Sequence, residues 1–130
     1  MSSVSGAAGR GVRRRAYARR MRDELERLRR QAEGRLARLD ADEGSLRADR
    51  ADGTADDEHD PEGSTLSGEW SRVDALRRST LAEIADIDAA LARVDDGTYG
   101  VCAGCGRPIP AGRLEVRPTA QYCVACADRR

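Results

Sequence analysis

Apolar side chains recur along two stretches of this chain at the spacing of a helix face. Met21, Leu25, Leu28, Ala32, Leu36 and Leu39 follow one another at steps of three or four, and Leu46 extends the stripe. Leu66, Trp70, Val73, Leu76, Thr80, Ile84, Ile87, Leu91 and Val94 form a second stripe, which Leu81 widens. The positions around them are rich in Arg, Ala, Leu and Glu, which favour helix. The pattern therefore predicts two amphipathic helices, the first from about Arg13. Ser64, Thr65 or Ser67 supplies a cap for the second. That helix stops at Asp95-Asp96-Gly97, with Gly97 just past its end. Neither helix can bury its apolar stripe alone, so the two should pair as an antiparallel hairpin. The steps are not strict heptads, so little supercoiling is expected.

Residues 52–64, DGTADDEHDPEGS, interrupt the pattern with Gly53, Pro61, Gly63 and a run of acids. They are expected to form the acidic tip loop of the hairpin. Helices of about 30 residues would put that tip roughly 45 Å from the base, where the outer helix ends meet. The resulting organisation is a disordered Gly/Ser/Ala-rich tail at 1–12, a helical hairpin at 13–96, and a C-terminal element at 97–130.

Composition agrees with a helical rod rather than a large globule. The chain has 130 residues, 35% of them charged, no Phe, one Trp and three Tyr. No apolar stretch approaches the length of a membrane span. The start, MSSVSGAAGRGVRRR, lacks the apolar core of a secretory leader, so a cytoplasmic protein is expected. Formal net charge is zero but unevenly placed: residues 1–50 carry +6, residues 51–100 carry −9 and residues 101–130 carry +3. Every basic residue is Arg, which fits a codon bias.

The candidate chemistry lies in 97–130. The only cysteines, Cys102, Cys105, Cys123 and Cys126, are spaced C-x2-C-x17-C-x2-C. Two C-x2-C pairs fifteen to twenty residues apart have the spacing of a four-thiolate zinc site. A two-residue spacer lets the chain turn and point both sulfurs at one ion, and a hairpin between the pairs brings the second turn over the first. Gly100, Gly104 and Gly106 give these turns conformational freedom, while Pro108, Pro110 and Pro118 stiffen the connection. Four thiolates fill the tetrahedral shell, so the ion would be a single structural zinc. Two disulfides or a redox C-x-x-C are the competing readings of the same cysteines. His59, the only histidine, lies far from them and reads as a solvated loop residue.

Residues 97–126, GTYGVCAGCGRPIPAGRLEVRPTAQYCVAC, resemble the DksA/TraR C4-type zinc-finger family. The GTYG lead-in, the CxxCG turn, the PIP-x-x-RL segment, the RP-x-A segment and the closing CxxC carry the resemblance. The stretch LAEIADIDAALARVDDGTYG is similar to that family's second helix running into its finger. The resemblance extends over roughly residues 20–126, the first helix matching only in type. It implies a mainly α fold: a long antiparallel helical hairpin, a coiled coil, with a C-terminal four-cysteine zinc finger. It further implies a regulator that binds bacterial RNA polymerase through its secondary channel and modulates initiation with an acidic coiled-coil tip, without reading a specific DNA sequence.

The family's tip motif is Asp-x-x-Asp-x-Ala. Here Asp57-Glu58-His59-Asp60-Pro61-Glu62 supplies Asp57 and Asp60 at that spacing, with Glu62 in place of the alanine. The three acids are the candidate partner-binding residues. The alarmone ppGpp binds part of the family, and no residue is assigned to it here.

The alternative function is a nucleic-acid-binding or redox-responsive structural zinc finger. It would place Arg13, Arg14, Arg15, Arg19 and Arg20, or Arg107, Arg113 and Arg117, on phosphates. The −9 charge of the middle segment opposes that reading. The arginines of the first helix serve equally well to keep it soluble. No Ser-His pair, phosphate loop or open metal position marks an enzyme.

Overall fold

The computed structural model describes residues 2–53 and 61–130. Four helices follow one another: α1 (Ser2–Gly53), α2 (Pro61–Asp96), α3 (Ala111–Val116) and α4 (Val124–Asp128). They divide into two compact units, one of residues 1–29 and 86–130, the other of residues 30–85.

In the first unit, the early part of α1 packs antiparallel on the last part of α2. Arg22 pairs with Asp95 and Arg29 with Asp88, so a step forward on α1 is a step backward on α2. Met21, Leu25 and Ile87 share a core as the two stripes predict, and Ala90, outside the stripe, joins them. The same cluster continues through Tyr99, Cys102, Ile109, Leu114 and Ala120. The cysteine-bearing element therefore shares one apolar core with the helix pair. Leu25, Ile87, Leu114 and Cys102 are the largest of its fully buried side chains.

Helix α2 ends where its sequence says it should. Gly97 takes φ +81°, the left-handed conformation that costs a residue with a Cβ. The Thr98 N–H then reaches the Arg93 carbonyl at 2.9 Å and the Gly97 N–H reaches Val94 at 3.4 Å. These are the two bonds of a Schellman turn, and they satisfy carbonyls the helix leaves over. The Asp96 carboxylate accepts the Thr98 hydroxyl and, at 2.9 Å, its N–H. Those bonds hold its pKa below the ordinary aspartate value.

In the second unit, Arg35 pairs with Glu83 at 2.6 Å and Arg77 with Asp40 at 2.7 Å, again antiparallel. The Arg47 guanidinium lies over the Trp70 ring, 5.5 Å from its centre. The seam here is narrow: Ala32, Val73 and Thr80 are buried, and the Thr80 hydroxyl is satisfied by the Leu76 carbonyl one turn back. Leu76, read from the sequence as part of the stripe, is 48% exposed, and Leu81 is 40% exposed. Two helices cover only a narrow strip of each other, and a side chain off that strip has no third element over it.

Two element boundaries differ from the periodicity reading. Helix α1 begins at Ser2 rather than near Arg13, because apolar periodicity marks where a helix packs, not where it starts. Helix α2 begins at Pro61 rather than at Ser64–Ser67; proline's fixed φ and missing N–H suit the first helical position.

Candidate metal centre

The first cysteine pair sits on a tight turn. The Cys102 N–H donates to the Arg107 carbonyl at 2.8 Å and the Gly106 N–H returns to the Cys102 carbonyl at 2.9 Å. Val101 and Pro108 form one isolated antiparallel bridge beside it. The expected hairpin between the cysteine pairs is absent: the described residues there form the short helix α3, and no strand. Pro108 and Pro110 lack the N–H groups a ladder needs, and Pro110 instead stands at the start of α3.

The second pair is presented by a helix start. Cys123 is the residue before α4, with extended backbone, and Cys126 lies in its first turn. Positions three apart share a helix face, so both sulfurs point the same way. All four sulfurs lie within 4.8 Å of one another. Cys105 and Cys123 are 3.9 Å apart across the turn. A disulfide needs about 2.05 Å, and all four cysteines are free. Sulfurs placed tetrahedrally about a zinc at 2.3 Å would be about 3.8 Å apart. The spacing fits an ion and not a bond, which removes the two-disulfide reading.

The surroundings favour thiolate. The Cys102 sulfur accepts the backbone N–H of Cys123 at 3.3 Å and of Gly104 at 3.4 Å. The Cys123 N–H is the main cause holding the Cys102 thiol down to about 6. Cys126 is pushed up to about 12, chiefly by its hydrogen bond with Cys123. Four thiols this close compete for their protons, and metal binding would displace those that remain. Gly104 is tightly enclosed: a Cβ there would stand 3.0 Å from the Cys126 sulfur, which would have to give way.

Three side chains outside the cysteine motif hold the segment that returns to the second pair. Tyr99 donates its hydroxyl to the Pro118 carbonyl at 2.8 Å, and Arg93 reaches the Thr119 carbonyl at 3.2 Å. Arg113 Nε donates to the Tyr122 carbonyl at 2.8 Å. The backbone adds Ala103 N–H to the Gln121 carbonyl at 2.9 Å. Burial pushes the Tyr99 hydroxyl up to about 12, so it stays a donor. The alternative nucleic-acid reading would put Arg113 on phosphates; its Nε is instead committed to the Tyr122 carbonyl. Only the proximity of Arg113 to the cysteine motif hinted at this.

Asp57 and Asp60 fall outside the described residues, as does His59, and the side chain of Glu62 in the first turn of α2 is likewise not described. Arg20 lies over the Tyr17 ring at 5.2 Å. Among the described residues, no helix is long and apolar enough to cross a membrane.

Residues 97–130 match the prokaryotic dksA/traR C4-type zinc finger, which contains this four-cysteine cluster. Those residues form a DksA/TraR-type zinc finger. The RNA polymerase-binding transcription factor DksA of Caulobacter vibrioides is 52% identical over 46 residues, 35% of this chain and 32% of that protein. DksA of Escherichia coli is 44% identical over 43 residues, 33% and 28% of the two chains. A protein of Aquifex aeolicus is 41% identical over 56 residues, 43% of this chain and 39% of its own. These matches thus span under half of each relative's length. The likeness of fold is wider: the transcription factor DksA2 from Pseudomonas aeruginosa superposes with a TM-score of 0.74 over 88% of this chain and 82% of that one, at 25% identity.

The donor set fits zinc. Cys102, Cys105, Cys123 and Cys126 would hold one ion, which supplies charge neutralisation and a cross-link between the two turns and leaves no open position for catalysis.

Proposed function

We propose that this protein is a zinc-containing transcription factor of the DksA/TraR type that binds RNA polymerase. The carrying observation is the agreement of two independent likenesses. The finger matches proteins named for RNA polymerase binding, and the fold over most of the chain matches a DksA2 transcription factor. The zinc holds the finger on the helix pair and takes no part in chemistry, so the protein is not an enzyme.

In the finer reading, the helical hairpin enters the polymerase secondary channel and the acids Asp57, Asp60 and Glu62 act at its tip to modulate initiation. Sequence-specific DNA contact is not part of this function, and ppGpp is left without assigned residues. A protein that binds RNA polymerase would act in the cytoplasm.

The test is capture of core RNA polymerase by the tagged, zinc-loaded protein, followed by promoter-complex lifetimes. Binding at physiological salt with a changed lifetime is expected. In the Asp57→Asn, Asp60→Asn double variant, binding should persist and the lifetime effect should vanish. An unchanged lifetime effect sinks the tip mechanism, and failure to capture polymerase sinks the function. Retention on DNA that falls steeply with salt would instead favour a nucleic-acid finger.

A further inference from the structure

One peptide group links Arg113 to the metal centre. The peptide between Tyr122 and Cys123 has its carbonyl held by Arg113 Nε at 2.8 Å and its N–H directed at the Cys102 sulfur at 3.3 Å. The two bonds lie on opposite edges of one rigid plane. Rotating that plane to release either bond also misdirects the other. A charged donor on the carbonyl also polarises the amide and strengthens its N–H as a donor.

The peptide spans the two halves of the site. Cys102 belongs to the first cysteine turn, and the Cys123 backbone opens the second. Arg113 comes from a third element, α3, which is anchored in the core by Leu114, 2% exposed. The guanidinium is therefore presented from a fixed base, not from a mobile loop.

We propose that Arg113 is a positioning residue of the metal centre, orienting the Tyr122–Cys123 peptide so that its N–H stabilises the Cys102 thiolate. This rests on the four cysteines binding zinc. Groups behind metal ligands typically contribute about 10- to 100-fold in affinity. Arg113 differs from Tyr99 and Arg93, which hold the same return segment at Pro118 and Thr119 and do not touch this peptide.

The test uses the full chain loaded with zinc or with cobalt(II), whose visible and thiolate charge-transfer bands report on the sulfurs. Arg113→Ala should weaken zinc binding about 10- to 100-fold in chelator competition. It should also shift the cobalt charge-transfer band, with the far-ultraviolet circular dichroism of the loaded protein unchanged. Arg113→Lys, which keeps one cationic donor, should recover part of the affinity. Tyr99→Phe should leave the cobalt spectrum as in the wild type. An Arg113→Ala protein within about twofold of wild-type affinity and with an unshifted band overturns the proposal. So does an equal spectral shift in Tyr99→Phe, which would mark a general loosening of the segment. If Arg113→Ala does not fold, Arg113→Met decides, because it keeps the length of the side chain and removes the donor: wild-type affinity and spectrum there overturn the proposal equally. A wild-type chain that binds neither metal removes the zinc reading itself, which is a different failure.

Discussion

Arg29 grips Asp88 with two nitrogens, Nε to Oδ1 at 2.6 Å and Nη2 to Oδ2 at 3.2 Å. The contact is two-pronged, so it fixes the rotation of each helix as well as its position. Seven residues earlier on α1 and seven later on α2, Arg22 meets Asp95. Within the other unit the same offsets separate the Asp40–Arg77 pair from the contact of Arg47 with Trp70. Such charges give an antiparallel pair its register, because a slip would place like charges together.

Reversing one partner should therefore destabilise the helix pair more than deleting it. Asp88→Arg should lower the thermal midpoint below that of Asp88→Ala. The double variant Arg29→Asp, Asp88→Arg should recover most of the loss. Circular dichroism melts at low salt measure this, and no recovery in the double variant would mean that the pair does not set register.

Acid should weaken the same contact. The Arg29 hydrogen bond holds the Asp88 carboxyl below the ordinary aspartate value of 3.8, and the Thr98 hydroxyl and N–H do so for Asp96. A depressed folded pKa stabilises above the unfolded value and ceases to as pH falls through the folded value. The midpoint should be level near neutral pH and begin to fall between roughly pH 5 and 4, continuing below 3.8. Asp88→Asn should melt lower at neutral pH and respond less steeply to acid.

Leu25 and Leu76 occupy equivalent-looking stripe positions but should respond differently to truncation. Leu25 is fully buried, and Leu25→Ala should cost about 2–5 kcal/mol in chemical denaturation. Leu76 is 48% exposed, and Leu76→Ala should stay within about 0.5 kcal/mol of the wild type.

Gly104→Ala tests the tightness of the metal centre. The added methyl would stand 3.0 Å from the Cys126 sulfur and 3.1 Å from its Cβ. Weaker zinc retention against a chelator is expected. Gly112→Ala, where a Cβ meets nothing within 4 Å, is the control and should retain zinc as the wild type does.

Removing zinc should loosen more than the finger. Cys102, Ile109 and Leu114 share a core with Met21, Leu25, Ile87 and Ala90. Amide exchange should therefore accelerate after chelation at 97–130 and also around Leu25 and Ile87. Acceleration confined to the cysteine turns would separate the finger from the helix core.

Much of this arrangement is legible in the residues alone. Leucine at steps of three and four can be covered only by another helix, so the pairing of α1 with α2 follows from period. Two C-x2-C turns leave few ways to use four thiols, and Gly97 after two aspartates marks a helix end because left-handed backbone disfavours a Cβ. These are local or periodic properties, and sequence carries them directly. Tertiary packing decided the rest. Which stripe positions are buried depends on what lies opposite, so Leu25 is enclosed while Leu76 is not. Arg113 could have faced solvent or phosphate; its partner is a carbonyl nine positions away, brought near by the fold of α3 against the core. Partners of that kind leave no period or spacing in the chain, because the contact exists only once the backbone has closed around it.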